Sequence, residues 1–164
     1  MKTIFLTQGK ETLVSNCDYH YLMQWKWCFH KASKANGGIG GYAKRAIRKP
    51  TYRTIFMYTV VAARMGIEGR PDHKDQNKLN NRRCNLRPAT GSQNKINCGK
   101  RRDNKSGYKG VCWYKRLAKW QAAIGVKGVT HYLKLWDSKE AAARAYNHAA
   151  KKHFGKFAVL NKVP

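Results

Sequence analysis

Hydrophobic and polar positions divide the chain into three stretches, of which the first is built of short apolar runs. Between Lys2 and about Met65, the runs "TIFL", "WKWCF" and "YRTIFMYTVVAARM" are separated by polar residues and by the glycine-rich segment "SKANGGIGG" at residues 33–41. Short apolar and aromatic runs between turn-forming residues are typical of strands. The pattern predicts a small β-rich lobe, in which "YHYLMQWKW" fits a short helix that leads into a strand.

The third stretch has the clearest periodicity. In "KWQAAIGVKG", apolar side chains recur at every second position from Trp120 to Val126, which is the period of a strand with one buried face. With "YKGVCWY" before it and "THYLKLW" after it, this run predicts a three-stranded antiparallel sheet. The following "DSKEAAARAYNHAAKKHFG" predicts a helix that is capped by Asp137 with Glu140, packs on the sheet through alanines and ends at Gly155.

A polar stretch joins these two parts. Residues 69–97 are rich in asparagine, and "CGKRRDNKSG" at residues 98–107 has few apolar side chains and many cations. Such a composition is typical of a linker, and its basic run is expected to lie along phosphates. The sequence therefore predicts an α+β protein with a domain at residues 1–97, a basic linker at 98–107 and a second domain at 108–164.

The balance of charge indicates a polyanionic partner. Lysine and arginine number 34 against 8 aspartates and glutamates, which gives a formal net charge of +26, and the cations run from Lys2 to Lys162. Nucleic acid is the expected partner, because each phosphate that a protein neutralises releases counterions and adds affinity that does not depend on sequence. A membrane partner is not expected, since the sequence shows neither a basic amphipathic helix nor a lipidation motif. Nor is a small-molecule substrate expected.

The N-terminus and the cysteines indicate a cytoplasmic protein. "MKTIFLTQGK" has too short an apolar run for a secretory signal, and no stretch of roughly 18 apolar residues is present. The five cysteines are odd in number and form no C-x-x-C pair. Free buried thiols in a reducing compartment are therefore predicted, rather than a disulfide framework or a zinc site.

An acid stands directly beside a histidine, Asp72-His73, in a chain that otherwise contains few acids. Hydrolysis of a phosphodiester needs a base that activates water, a group that orients the base and a cation on the phosphate. Neighbouring side chains of a strand point to opposite faces, so one of the pair can reach a metal while the other faces the water. Asparagine oxygens suit Mg²⁺ and can also accept a histidine Nδ1 proton. The capping-box spacing from Thr90 to Gln93 predicts Asn94 in the first turn of a short helix.

Three other interpretations of this stretch stay open. A calcium loop would need oxygen ligands where Lys74 and Gln76 stand. A polar hairpin with turn-forming asparagines explains "NNRR", but it explains neither the acid-histidine pair nor the capped helix. A zinc site built from His73, Cys84 and Cys98 lacks the usual ligand spacings.

The order Asp-His, eleven residues, Asn, eight residues, Asn in "DHKDQNKLNNRRCNLRPATGSQN" resembles the HNH nucleases, in particular the homing endonucleases of phages and bacteria. Their core is a ββα-metal motif, which the resemblance places at about residues 68–97. It implies that His73 is the general base, that Asn85 orients it, and that Asp72 and Asn94 hold one divalent cation, Mg²⁺ with Mn²⁺ as the alternative. "LTQGKETLVSNCDYHYLMQWKW" and "YRTIFMYTVVAARMG" also resemble the N-terminal part of these proteins.

The sequence departs from the family pattern at Tyr58-Thr59, where the family commonly carries a His-Arg pair. The expected function is that of a metal-dependent endonuclease on double-stranded DNA, acting as a monomer and encoded by a phage or other mobile element, so that it works in the cytoplasm of a bacterial host. Two alternatives stay open. One is a catalytically inactive DNA-binding protein with a degenerate HNH site, and the other is an RNA- or ribosome-associated basic protein.

Residues 106–161 resemble the DNA-binding domain of plant ethylene-response factors, also named Apetala-two, through "YKGV", "WQAA", "LKLWDSKEAAARAYNHAA" and "FGKFAVLN". The resemblance implies that a three-stranded sheet enters the major groove. Lys109 stands at a position that contacts DNA in that family, and Tyr132 stands where the family has a DNA-contacting tryptophan. At three other positions, Cys112, Tyr114 and Gly125 replace arginines that contact DNA there. With the charged and alternating positions added, the expected DNA-contact residues are Arg101, Arg102, Lys109, Trp113, Tyr114, Lys115, Arg116, Lys119, Gln121, Lys127, His131 and Tyr132.

Overall fold

The chain divides into two units, Met1–Ser92 and Gln93–Pro164, in a computed structural model that describes residues 1–32, 40–48 and 50–164. The expected glycine-rich loop at residues 33–41 lies outside the described residues, apart from its last two glycines. The protein is of the α+β class, with small antiparallel sheets and four α-helices in the described part of the chain. None of the helices described there is long and apolar enough to span a membrane.

The first unit is built of short antiparallel strands and helices. Its elements are, in chain order, β1 (Lys2–Phe5), β2 (Glu11–Val14), α1 (Asn16–Leu22), β3 (Cys28–Lys31), β4 (Gly41–Ile47), β5 (Arg53–Phe56), α2 (Met57–Arg64), β6 (Asp72–His73), β7 (Leu86–Arg87) and the start of α3 (Gly91–Ile96). β1 pairs with β2, β6 pairs with β7, and β3, β4 and β5 form a sheet in that order. The stretch "YHYLMQWKW" runs through the end of α1 and leads into β3, which is the order that its pattern predicts.

Apolar side chains of α1 and α2 pack together in one core. Leu22, Met57 and Val61 are fully buried there, and the Trp27 indole donates a hydrogen bond to the Leu22 carbonyl at 2.8 Å. The run "YRTIFMYTVVAARM", which its pattern predicts to be part of a β-rich lobe, is a strand only as far as Phe56. From there it is the helix α2, because Met57 and Val61 are one helical turn apart and are buried on the same side. Burial thus overrides the strand preference of the β-branched residues.

A buried carboxylate ties α1 to α2 and to the loop that precedes β7. The fully buried Asp18 side chain accepts hydrogen bonds from Arg64 Nε at 2.8 Å and from Arg83 Nε at 2.7 Å. The two guanidinium groups, Arg83 first, hold the pKa of Asp18 below its ordinary value, against the opposing effect of burial. The loop that carries Arg83 is thereby fixed to the helices of the unit.

The second unit is a three-stranded antiparallel meander with one helix on it, as the sequence predicts. β8 (Val111–Tyr114), β9 (Lys119–Val126) and β10 (Val129–Trp136) lie side by side in the order β10, β9, β8, and α4 (Lys139–Phe154) packs on the sheet. Lys127 and Gly128 join β9 to β10 and both have positive φ, which is the backbone conformation of a tight type I′ turn.

Small side chains bring α4 close to the sheet. Ala122 and Ile124 of β9 are buried on the helix side, where Ala122 packs with Ala142 and Ala143 of α4 and Ile124 packs with Tyr146. Gly110 makes this approach possible, because a Cβ atom at that position would strike the Tyr146 ring.

The cap of α4 differs from the prediction. Ser138, and not Asp137, caps the helix by accepting a hydrogen bond from the Ala141 N–H at 3.1 Å. The Asp137 carboxylate instead forms an ion pair with Lys119 at 2.9 Å. At the other end Gly155 closes the helix with a φ of +49°, as expected.

The segment before β8 is joined to the second unit by hydrogen bonds. The Asn104 side chain donates to the Tyr108 carbonyl at 2.9 Å, and the Ser106 hydroxyl lies 3.0 Å from the Tyr108 carbonyl oxygen and 2.8 Å from that of Val111. The predicted linker at residues 98–107 therefore ends in ordered turns that belong to this unit.

The cysteines are free, as expected, but the prediction that they are buried is wrong. Each of the five is exposed. They lie on surface positions of helices, strands and loops, at Cys17, Cys28, Cys84, Cys98 and Cys112. Apolar side chains other than cysteine fill both cores, among them Leu22 and Met57 in the first unit and Ile124, Tyr146 and several alanines in the second.

Candidate functional site

Asp72 and His73 form the short strand β6, and both are buried. β6 pairs antiparallel with β7, in a register that places Asp72 opposite Arg87 and His73 opposite Leu86. The acid-histidine pair is thus held on a hairpin whose loop, residues 74–85, contains the asparagines of the motif. The strand that the sequence predicts at this point is present, although it is only a two-residue pair.

The His73 ring is packed between an amide and an aromatic ring. Its Nε2 atom lies 3.1 Å from Asn81 Oδ1, and the Tyr58 ring meets it edge-on with centroids 5.5 Å apart. Burial lowers the pKa of His73, and this outweighs the opposing effects of Asn81 and of the Asp75 and Asp72 carboxylates. The ring is therefore neutral at pH 7, which is the state that a general base requires.

The Asp72 carboxylate already has a cationic neighbour. Arg87 approaches Asp72 Oδ2 with Nε at 2.8 Å and Nη2 at 2.7 Å, and both side chains are largely buried. Two N–H donors on one buried oxygen make a strong, charge-assisted contact. A metal ion at Asp72 would share this carboxylate with the guanidinium or displace it.

Asn85, which the sequence predicts to orient His73, has other partners. Its amide nitrogen donates to Asp75 Oδ1 and to the Asn80 carbonyl, both at 2.8 Å, and its oxygen accepts from the Asp75 backbone N–H at 3.1 Å. Asn85 therefore holds the loop in shape, and Asn81 takes the predicted place of Asn85 on the histidine ring. The reason is the course of the loop, which folds back so that residue 81, and not residue 85, faces the ring.

Asn94, the second predicted metal ligand, lies on α3, beyond the end of the first unit. Its assignment stays a prediction from the sequence. In the described part of the chain no three His, Cys, Asp or Glu side chains cluster as they do in a closed metal site. The Asp72 carboxylate is a ligand of the kind that Mg²⁺ takes, since this ion keeps several waters and is commonly held by one or two carboxylates.

Two side chains near His73 could not be predicted from the sequence. Thr12, far away in the chain on β2, is fully buried and accepts a hydrogen bond from Asn81 Nδ2 at 2.8 Å. Tyr58 stands out in the sequence only as a departure from the family pattern, and no local motif indicates that either side chain lies near the histidine.

The sheet of the second unit divides the predicted DNA-contact residues between its two faces. Residues that are directly opposite in an antiparallel pair share a face. Trp113 pairs with Trp120, and His131 pairs with the buried Ile124, so both lie on the face that carries α4. His131 stacks there on His153 of α4, with ring centroids 6.1 Å apart.

The face opposite α4 holds the other strand positions of the set. These are Tyr114 and Lys119, which pair with each other, together with Gln121 and Tyr132. Tyr132 is 70% exposed, so its ring is open to a ligand. The strand-connecting turns add the exposed cations Lys115, Arg116 and Lys127, and the segment before β8 adds Arg101 and Arg102.

Lys109 is placed differently from the rest of the set. Its ammonium group donates to the carbonyl oxygens of Ile96 and Cys98, and burial lowers its pKa. These carbonyls lie at the end of α3 and just after it, where helix carbonyls lack partners within the helix. A phosphate contact from Lys109 would first have to break these hydrogen bonds.

The structure thus defines a class of protein: an α+β chain with a buried histidine beside an acid on one unit, and a basic sheet-and-helix unit after it. The chain belongs to the family of protein 3.8 of Escherichia phage T7, to which it is 34% identical over 87 residues, or 53% of this chain and 71% of that protein.

Two further relatives match different shares of the chain. The sequence is 37% identical over 116 residues to a protein of Acanthamoeba polyphaga mimivirus named uncharacterized HNH endonuclease L560, a match that takes in 66% of this chain and only 56% of the length of that protein. It is 42% identical over 62 residues to the AP2-like ethylene-responsive transcription factor TOE2 of Arabidopsis thaliana, which covers 38% of this chain and 13% of that protein. No protein-family model and no solved structure matches the chain.

Proposed function

We propose that the protein is a divalent-metal-dependent endonuclease that hydrolyses phosphodiester bonds of double-stranded DNA. The observation that carries the proposal is the buried His73 beside Asp72 on the β6–β7 hairpin. The homology to a viral protein named as an HNH endonuclease supports it at the level of a nuclease.

In this proposal each group of the site has one task. The neutral His73 ring takes the proton of the water that attacks phosphorus. Asp72 and Asn94 would hold Mg²⁺, with Mn²⁺ as the alternative, and the cation supplies charge neutralisation at the phosphate. Arg87, beside Asp72, places a further positive charge at the hairpin.

The second unit would supply affinity for DNA. The chain is similar over 62 residues to a plant transcription factor, and the face of the second unit opposite α4 and its turns carry cations and an exposed tyrosine. Binding there raises the local concentration of DNA at the nuclease unit, because the two are parts of one chain. A role as the homing enzyme of a phage or mobile element, and action as a monomer, complete the proposal and rest on sequence resemblance.

The test is the conversion of supercoiled plasmid to nicked or linear DNA by the purified full chain. Cleavage is expected in Mg²⁺ or Mn²⁺ and should disappear when EDTA removes the metal, since the phosphate then loses its cation. Cleavage that persists in EDTA would contradict the metal dependence. Tight binding without cleavage in any divalent cation would contradict the nuclease.

A second candidate function is that of an inactive DNA-binding protein, and Tyr58 favours it. The tyrosine stands at the position where HNH nucleases commonly carry a histidine, and its ring packs directly on His73. If the wild-type chain binds plasmid without cutting it, Tyr58→His is the variant to examine first. Cleavage gained by this variant would identify a nuclease site silenced at one position.

Binding to DNA is expected to depend steeply on salt. Replacing Arg116 and Lys115 by alanine should make the slope of log affinity against log salt shallower by about 0.9 for each phosphate that these two cations neutralise. The matched control is Lys151→Ala with Lys152→Ala, two exposed lysines on α4. Fluorescence anisotropy with a labelled duplex at several salt concentrations measures both slopes. Equal slopes for the two double variants would remove the β8–β9 turn from the interface.

A further inference from the structure

A line of buried polar groups runs from the N-terminal hairpin, formed by β1 and β2, to the candidate base. The Thr12 hydroxyl lies 2.7 Å from the Leu79 carbonyl oxygen and 2.8 Å from Asn81 Nδ2, and Asn81 Oδ1 lies 3.1 Å from His73 Nε2. Thr12 and Asn81 are almost completely withdrawn from solvent, at 0% and 1% exposure. Buried polar groups of this kind are held to one arrangement, because an unmade hydrogen bond is costly there.

The direction of each hydrogen bond along this line follows from its first member. A carbonyl oxygen can only accept, and two oxygens 2.7 Å apart need a hydrogen between them, so the Thr12 hydroxyl donates to Leu79. With its one hydrogen used, Thr12 accepts from Asn81, and only the amide nitrogen of Asn81 can donate. The amide oxygen therefore faces the histidine, and His73 Nε2 must donate to it.

We propose that Thr12 and Asn81 are positioning residues that hold the His73 ring with a proton on Nε2, so that the base form of the ring has its lone pair on Nδ1. The use of that lone pair in catalysis rests on the proposed nuclease function. A base whose neutral form is divided between two tautomers would present the lone pair at the reacting side only part of the time. The contact between the N-terminal hairpin and the loop at residues 74–85 thus has a chemical role beyond packing.

The loop does not depend on the Thr12 side chain for its position. The backbone of β2 bonds to it on both sides of Asn80: the Leu13 N–H donates to the Leu79 carbonyl, and the Asn81 N–H donates to the Leu13 carbonyl, both at 2.8 Å. Thr12→Val keeps the shape of the side chain and these backbone bonds while it removes the hydroxyl. Thr12→Ser keeps the hydroxyl and serves as the matched control.

The proposal is tested by nitrogen-15 NMR of the histidine rings in the metal-free full chain, in which proton–nitrogen correlations separate the Nε2–H and Nδ1–H tautomers. The chain has six histidines, and the signals that vanish in His73→Ala identify His73. Wild type and Thr12→Ser are expected to show Nε2–H. Thr12→Val should show a mixture, because the Asn81 amide can then turn over. The double variant Thr12→Val with Asn81→Asp should return to Nε2–H, since both carboxylate oxygens accept.

An Nδ1–H signal in wild type, or a Thr12→Val spectrum equal to that of wild type, would overturn the proposal. Kinetics give the second readout: Thr12→Val should lower kcat roughly tenfold with KM for DNA unchanged, and Thr12→Ser should restore it. Wild-type kcat in Thr12→Val, despite a mixed spectrum, would remove the tautomer from catalysis. If even the wild-type chain cleaves no DNA, the nuclease function fails while the spectra still decide the tautomer.

Discussion

His73→Ala is expected to reduce the rate of DNA cleavage by about 10² to 10⁴ while leaving the affinity for DNA unchanged, because a positioned general base typically contributes that factor to a proton-transfer step. The ring is buried and neutral, so wild type carries the base form throughout the neutral range. Single-turnover cleavage of plasmid at saturating protein and fixed Mg²⁺ measures the chemical step, and anisotropy with a labelled duplex measures the affinity.

The matched control for this variant is His20→Ala, which removes an exposed histidine of the same unit. It should cleave at the wild-type rate. The pH profile adds an independent check: since burial lowers the pKa of His73, wild-type cleavage should fall only when the pH drops below about 6.5, the ordinary value for histidine. His73→Ala protein that binds and cleaves like wild type would show that another group activates the water.

Local pattern is enough to predict much of the second unit. The meander, the helix after it and the glycine that ends it all follow from side-chain period and turn residues, which act within a few positions of the chain. The predicted cap, Asp137, is one residue too early, because Ser138 and Asp137 both have capping side chains. Only the position of the first helical turn decides between them.

The residues that surround the candidate base, His73, could not be predicted from local sequence pattern. The spacing of the motif singles out Asp72-His73 and predicts the strand beneath it, yet Asn81 and not Asn85 contacts the ring. Which asparagine faces inward depends on how a twelve-residue loop, residues 74–85, folds against β2, whose backbone hydrogen-bonds to the loop at Leu13. Sequence spacing predicts which residue contacts a motif residue only where the residues between them form a helix or a strand. Here the intervening residues form a loop.

The residues predicted to contact DNA do not all lie on the same face of the sheet. A strand alternates its side chains, but the sequence does not say which of the two faces the helix will cover at the ends of the strands. His131 therefore lies on the side of α4, and Tyr132 on the open face. Lys109 carries a positive charge, but its ammonium group donates hydrogen bonds to backbone carbonyl oxygens.

The second large effect is expected at Asp18, where Asp18→Asn should lower the free energy of unfolding of the first unit by about 3 kcal/mol. Removing one partner of a buried ion pair typically costs about 3–5 kcal/mol, and the lower end applies because the two arginines are each about one third exposed and can rehydrate. The new amide nitrogen would also turn N–H donors toward a guanidinium group. Asp137→Asn, at a carboxylate that is 89% exposed, is the matched control and should cost less than about 0.5 kcal/mol.

The pH dependence of the same variant separates the ion pair from simple packing. The pKa of Asp18 is lowered in the folded chain, so the stability it contributes is present above about 3.9, the value in an unfolded chain, and is lost as the pH falls through the lower folded value. Asp18→Asn should therefore lose less stability than wild type over that acid range. Urea unfolding at several pH values gives the free energies, and hydrogen exchange of amides in α2 and residues 79–86 assigns the loss to this unit. Equal acid losses in wild type and variant would show that Asp18 is held by packing alone, and its charge would then have no part in fixing the loop that carries Asn81.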